Sequence, residues 1–199
     1  MSMQLRSFRI TGTRPLLMNN PQVVDRFNPY ALRMAQITAK KGKTRTDEDV
    51  RELQDIEVRS KVHWDDELGV VVPASWVLAA LAKNSHAVAK ISKERIRGTV
   101  VAEEFAVPLQ YEDKHLVRTL DDIVGNPDFR HSMILPQMGK RVMKAMPIFH
   151  NWWFEITLGF DDKVIDQRSL VRILQHAAQY GGFGDFRPTF GKAMAEAWV

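Results

Sequence analysis

Residues 152–160 constrain the fold more than any other stretch of the chain. Trp152, Phe154, Ile156, Leu158 and Phe160 alternate with Trp153, Glu155, Thr157 and Gly159. A period of two puts the first set on one face of a β-strand and the second set on the other. Asp166 then serves as a helix cap, and Leu170, Val171, Leu174, Ala177 and Ala178 fall on one side of the helix it starts. Gly181 and Gly182 end that helix, and a last strand is expected from about Ala193 to Val199.

The N-terminal half supplies the matching pieces. Leu5 to Thr13 reads as a first strand, with Phe8 and Ile10 on one face. Gly69 to Val72 is a short apolar strand ended by Pro73, and Ser75 starts an apolar helix through Trp76, Val77, Ala80 and Leu81. Thr99 to Val101 and Phe105 to Tyr111 are strand-like. Two excursions interrupt this order. The first, at about 26–64, is helical: Tyr30 to Lys40 forms one helix, and Thr46 with Asp49 makes a capping box for a second that runs to about Trp64. The second, at about 112–147, holds a short helix (Leu120 to Val124) and a hairpin in which Met133 to Leu135 and Val142-Met143 flank Pro136 to Arg141. With both removed, the order is strand, helix, strands, helix, strand. The expected fold class is therefore α+β: a single domain over 1–199 with a ferredoxin-like (RRM-like) four-stranded antiparallel sheet, two packing helices and large insertions.

The chain has no cysteine, which excludes disulfides, thiolate metal sites and cysteine nucleophiles. No apolar run is long enough to span a bilayer, and Met1 to Arg6 lacks the apolar core of a signal peptide. A cytoplasmic protein with no membrane partner is expected. Net charge is +4, and the basic residues cluster. Lys40, Lys41, Lys43 and Arg45 form one group, Lys90, Lys93, Arg95 and Arg97 a second, and Lys140, Arg141 and Lys144 a third. Segregated charge of this kind can build a polyanion-binding face, or simply three solvated loops.

The most distinctive segment is Gly181-Gly182-Phe183-Gly184-Asp185-Phe186-Arg187-Pro188-Thr189-Phe190-Gly191-Lys192. Its successive amides can form an anion nest, Arg187 and Lys192 add charge, and its three phenylalanines can stack on bases or on the core. Ile10 to Asn20 runs from a strand into a loop with Arg14 and the amides of Asn19 and Asn20, which suit phosphate contact or turn formation. The six histidines (His63, His86, His115, His131, His150 and His176) are scattered, and no pair has the spacing of an acid and a base. Asp65-Asp66-Glu67, Glu103-Glu104 and Asp161-Asp162 are poor ligand pairs, because adjacent strand residues point to opposite faces. No cofactor and no metal are expected.

Three segments carry a resemblance: "ITGTRPLLMNN" ending the first strand, "VVPASWVLAAL" introducing a helix, and "GGFGDFRPTFG" before the last strand. Together they resemble the RAMP superfamily, closest in style to the backbone subunits of CRISPR effector complexes. The resemblance covers the core elements, about half the chain. Pro188 inside the loop departs from the family's usual glycine spacing. The chain is also similar to small proteins of phage genomes, which would place it in a host cytoplasm.

The resemblance implies a non-catalytic protein that binds single-stranded nucleic acid, RNA ahead of DNA. It further implies copies assembling head to tail as a homo-oligomer or filament, with CRISPR effector subunits as partners. A thumb-like hairpin at about 130–150 would reach a neighbour or kink the strand, and Met133, Met138, Met143 and Met146 give that excursion an adaptable apolar surface. The residues assigned to backbone contact are Arg14, Asn19, Lys41, Lys43, Arg141, Lys144, Arg187 and Lys192. Those assigned to base stacking are Trp153 and Phe186. Two other readings stay open: a metal-independent endoribonuclease of the same superfamily, and a mimic of a CRISPR subunit acting through protein contacts.

Overall fold

The computed structural model of the protein describes residues 3–40, 44–137 and 139–198. Lys41, Lys43 and Met138 lie outside the described residues, as does Val199 at the end of the expected last strand. In chain order the elements are β1 (Met3–Gly12), β2 (Leu16–Leu17), α1 (Pro29–Ala39), α2 (Asp47–Lys61), β3 (Trp64–Asp65), β4 (Gly69–Pro73), α3 (Ala74–Ala89) and α4 (Lys93–Thr99). They continue with β5 (Val100–Ala102), β6 (Ala106–Pro108), α5 (Leu120–Gly125), β7 (Arg130–Gln137), β8 (Lys140–Phe149), β9 (Trp153–Asp161), α6 (Gln167–His176) and β10 (Ala193–Trp198). The described residues form a mixed α+β structure with antiparallel sheets and six α-helices. No helix of the described residues is long and apolar enough to cross a membrane.

The chain divides into two compact units. The first takes the described residues of Met1–Leu17, Trp64–Lys114 and Phe149–Val199. Its main sheet has four strands in the order β10-β1-β9-β5, and every neighbouring pair is antiparallel. Register sets Phe8 opposite Ile156 and Ile10 opposite Phe154, and all four side chains are buried. The helices α3 and α6 pack against each other. In α6, Leu170, Ile173 and Leu174 are buried at helical spacing, and the Ser169 amide donates to Asp166 Oδ1 over 2.9 Å. A second small sheet, β3-β4-β6, belongs to the same unit. A bridge between Gln110 and Trp153 ties the segment after β6 to the start of β9.

The second unit takes Met18–His63 and His115–Ile148. Thr46 and Asp49 do form a capping box at the start of α2, but the helix ends at Lys61, short of Trp64. The hairpin β7–β8 is longer than the sequence suggested: its register runs from Arg130 opposite Pro147 to Gln137 opposite Lys140. The reason lies in α2. Glu57, almost fully buried, accepts from Lys144 Nζ at 2.6 Å and from the Ala145 amide at 2.8 Å. Lys61 Nζ donates to the Ala145 carbonyl at 2.6 Å, and Arg130 pairs with Asp55. Helix and hairpin are thus joined by charge-assisted bonds that no local sequence pattern reports.

Burial also holds the His63 imidazole down at about 4, from an ordinary 6.5. The unfolded chain takes up this proton as pH falls through about 6.5, whereas the folded chain resists it until about 4. The contribution of His63 to stability is therefore complete above that window and is lost progressively within it. The urea midpoint of the protein should fall between about pH 7 and pH 5, and His63→Gln should show a smaller fall over the same interval. An equal fall in both proteins would contradict this role for His63.

Candidate nucleic-acid interface

The glycine-rich segment is shaped by where its backbone must pass. The α6 helix widens into a π-turn over Ala177–Gly181, which the Gly182 amide closes by donating to the Ala177 carbonyl at 2.8 Å. The loop then lies along residues 13–17. Asp185 N donates to the Leu17 carbonyl at 2.9 Å, and Gly191 N to the Pro15 carbonyl at 2.8 Å. The Thr13 and Arg14 amides both donate to the Lys192 carbonyl, at 2.7 and 3.2 Å. Gly184 and Gly191 have φ of +74° and +70°. A Cβ on Gly184 would lie 2.3 Å from the Leu17 carbonyl oxygen, and one on Gly191 would lie 1.8 Å from the Phe183 carbonyl oxygen. These glycines are therefore required by packing as well as by φ.

This corrects the anion-nest expectation. The amides of Gly182, Phe183, Asp185, Phe186, Phe190 and Gly191 already donate within the protein, so they do not point together at an external anion. Phe183 is likewise core: it is buried and meets Phe154 edge-to-face at 5.9 Å. What the loop builds is a cleft of about 370 Å³ against α3 and the end of α6. Lys83, Asn84, Tyr180, Phe186 and Arg187 line it, and Asp185 is the carboxylate beside them. Phe186 is half-buried, while Lys83, Tyr180 and Arg187 are exposed. The Asn84 side chain is fixed by donating to the Ala80 carbonyl at 2.8 Å and by a 3.2 Å contact with His176 Nδ1.

The sequence candidates fall into separate groups. Phe186 and Arg187 line the cleft, and the backbone contacts at the loop's end bring Arg14 and Lys192 together. Among the described residues, Arg14, Lys83, Arg187 and Lys192 make no ion pair. Asn19, Arg141 and Lys144 belong to the second unit. Arg141 is exposed near the hairpin tip, whereas the Lys144 ammonium is committed to Glu57. Trp153 lies on the face of the main sheet opposite Phe154, where the Arg9 guanidinium sits 4.5 Å from its ring centre. One face of that ring is therefore occupied by a cation.

No protein-family model matches the chain, and no curated protein sequence matches it. Among solved structures, the crystal structure of Cmr6 from Pyrococcus furiosus aligns with 98% of this chain and 100% of its own. The identity is 8% and the TM-score 0.36.

Sequence reasoning missed Lys83, because a lone lysine on an apolar helix carries no signal until the loop is folded against it. It also read Lys93 to Arg97 only as a charge cluster; these residues form α4, which Ser92 caps by accepting from the Arg95 amide at 3.3 Å. Among the described residues, no group of three or more His, Asp or Glu side chains is placed to hold a metal. Gly191→Ala should cost about 1–3 kcal/mol from the positive φ alone, before any clash. Hydrogen exchange at the Phe183 amide, which donates to the Gly191 carbonyl at 2.8 Å, should report the opened loop. Unchanged protection there would contradict the packing argument.

Proposed function

We propose that this chain is a non-catalytic protein that binds a single unpaired strand, RNA ahead of DNA, at the cleft beside its glycine-rich loop. The observation that carries the proposal is the cleft itself. Two aromatic side chains, Tyr180 and Phe186, border a space of about 370 Å³ together with Lys83 and Arg187. A base can stack on such rings whatever its identity, each contact contributing on the order of 1–3 kcal/mol. Lys83 and Arg187, which make no ion pair among the described residues, are available to phosphates, and Arg14 and Lys192 continue the basic character at the loop's end.

The element order β1–α3–β5–β9–α6–β10 supports a ferredoxin-like core, because it is the β-α-β-β-α-β arrangement of that fold. A RAMP-like protein is the reading that joins this core to the loop. The preference for RNA, the assembly of copies along a strand and a partnership with CRISPR effector subunits belong to the same reading and rest on the resemblance alone. The exposed Arg141 on the hairpin of the second unit is a further phosphate contact in this proposal.

Fluorescence anisotropy with a labelled oligouridylate of roughly 12 nucleotides tests it. Affinity should fall steeply with salt, and Lys83→Ala with Arg187→Ala should weaken binding and shrink the log–log salt slope by about 0.7 per lost contact. No binding at low salt, or an unchanged slope in the double variant, would overturn the proposal.

A further inference from the structure

The main sheet of the first unit has a second face that the helices do not cover. Alternation places Leu5, Ser7 and Arg9 of β1, Trp153, Glu155 and Thr157 of β9, and Glu196 and Trp198 of β10 on it, opposite the buried side chains. Its two ends differ. At one end Met3 Cε, Val101 Cγ2 and Leu5 Cδ2 converge over Gly159, where a Cβ would meet them at 3.0, 3.2 and 3.5 Å. All three side chains are largely exposed, with Leu5 at 59%, so they form a continuous apolar patch. At the other end Arg9 is held between two indoles, 4.5 Å from the Trp153 ring and 5.1 Å from that of Trp198, and pairs with Glu155 at 2.7 Å. Register puts Glu196 directly opposite Arg9 on the next strand. Beside them is a hollow of about 180 Å³ lined by Ser7, Glu104, Glu155, Thr157 and Trp198. Phe105, adjacent to Glu104, is fully exposed.

The charges decide what can lie here. Three carboxylates (Glu104, Glu155 and Glu196) face one guanidinium that is already paired, so the face repels a phosphate backbone. It suits a cation with an apolar neighbour, and it already holds one such group, the arginine between the two tryptophans. We propose that this open sheet face docks a polypeptide segment in which lysine or arginine alternates with large apolar side chains. A basic side chain enters the hollow beside Glu104 and Glu155, and the apolar residues cover Met3, Leu5 and Val101. This surface is independent of the cleft assigned to nucleic acid.

The test uses the full chain and two labelled peptides, one of alternating arginine and leucine, the other of alternating glutamate and leucine. The basic peptide should bind and the acidic one should not. Glu104→Lys and, separately, Leu5→Glu should each weaken the basic peptide by at least about tenfold, while oligouridylate binding stays as in the parent protein. Phe105→Ala, at a fully exposed position, gives a second reading if either variant fails to fold. Equal binding of the two peptides, or affinity unchanged by all three substitutions, would overturn the proposal. So would loss of oligouridylate binding in Trp153→Ala, which would give this face to nucleic acid. Concentration-dependent self-association abolished by Glu104→Lys would also overturn it, by making a second copy of the chain the occupant.

Discussion

Everything in the first unit follows from the pairing of Phe8 and Ile10 with Ile156 and Phe154 across the two central strands. These four buried side chains fix the covered face, and a one-residue slip would turn each strand inside out. With that register set, α3 and α6 pack together, and the end of α6 delivers the glycine-rich loop beside residues 13–17. Phe183 then inserts edge-on against Phe154, which anchors the loop to the same core. The cleft therefore depends on a strand register set far from it in sequence.

The same register separates two kinds of surface. Where the loop meets α3, Lys83 and Arg187 make no ion pair among the described residues, and aromatic rings border an open space. On the uncovered sheet face, carboxylates outnumber cations and the one arginine is held by Glu155 and two indoles. An unpaired polynucleotide and a basic polypeptide are opposite ligands, and each surface has the charge that one of them requires. The resemblance read from three sequence segments directs attention to the first surface through Phe186 and Arg187, and to the second only through Trp153 as a stacking residue. The second emerges from side chains that the strands bring side by side.

Much of the framework was legible in the sequence. The alternation at 152–160, the cap at Asp166 and the box at Thr46 and Asp49 are local patterns, and local patterns survive folding. What escaped was long-range. Lys144 reads as a free cation until Glu57, distant in sequence, comes to lie against it. The loop reads as an anion site until the Gly191 and Asp185 amides are seen to bond it to the Pro15 and Leu17 carbonyls. The sequence alone assigns Arg9 no role, although its place opposite Glu155 and beside Trp153 follows from the register once the strands are paired. Lys83 had no signal at all, since its importance comes only from the loop that folds over it.

Photo-crosslinking of an oligonucleotide carrying 4-thiouridine, with the attachment points mapped by mass spectrometry, locates the bound strand on the protein. Adducts are expected on Tyr180 or Phe186, beside the glycine-rich loop, and none on Trp153 or Trp198. Adducts on those tryptophans, with the loop left unlabelled, would contradict it.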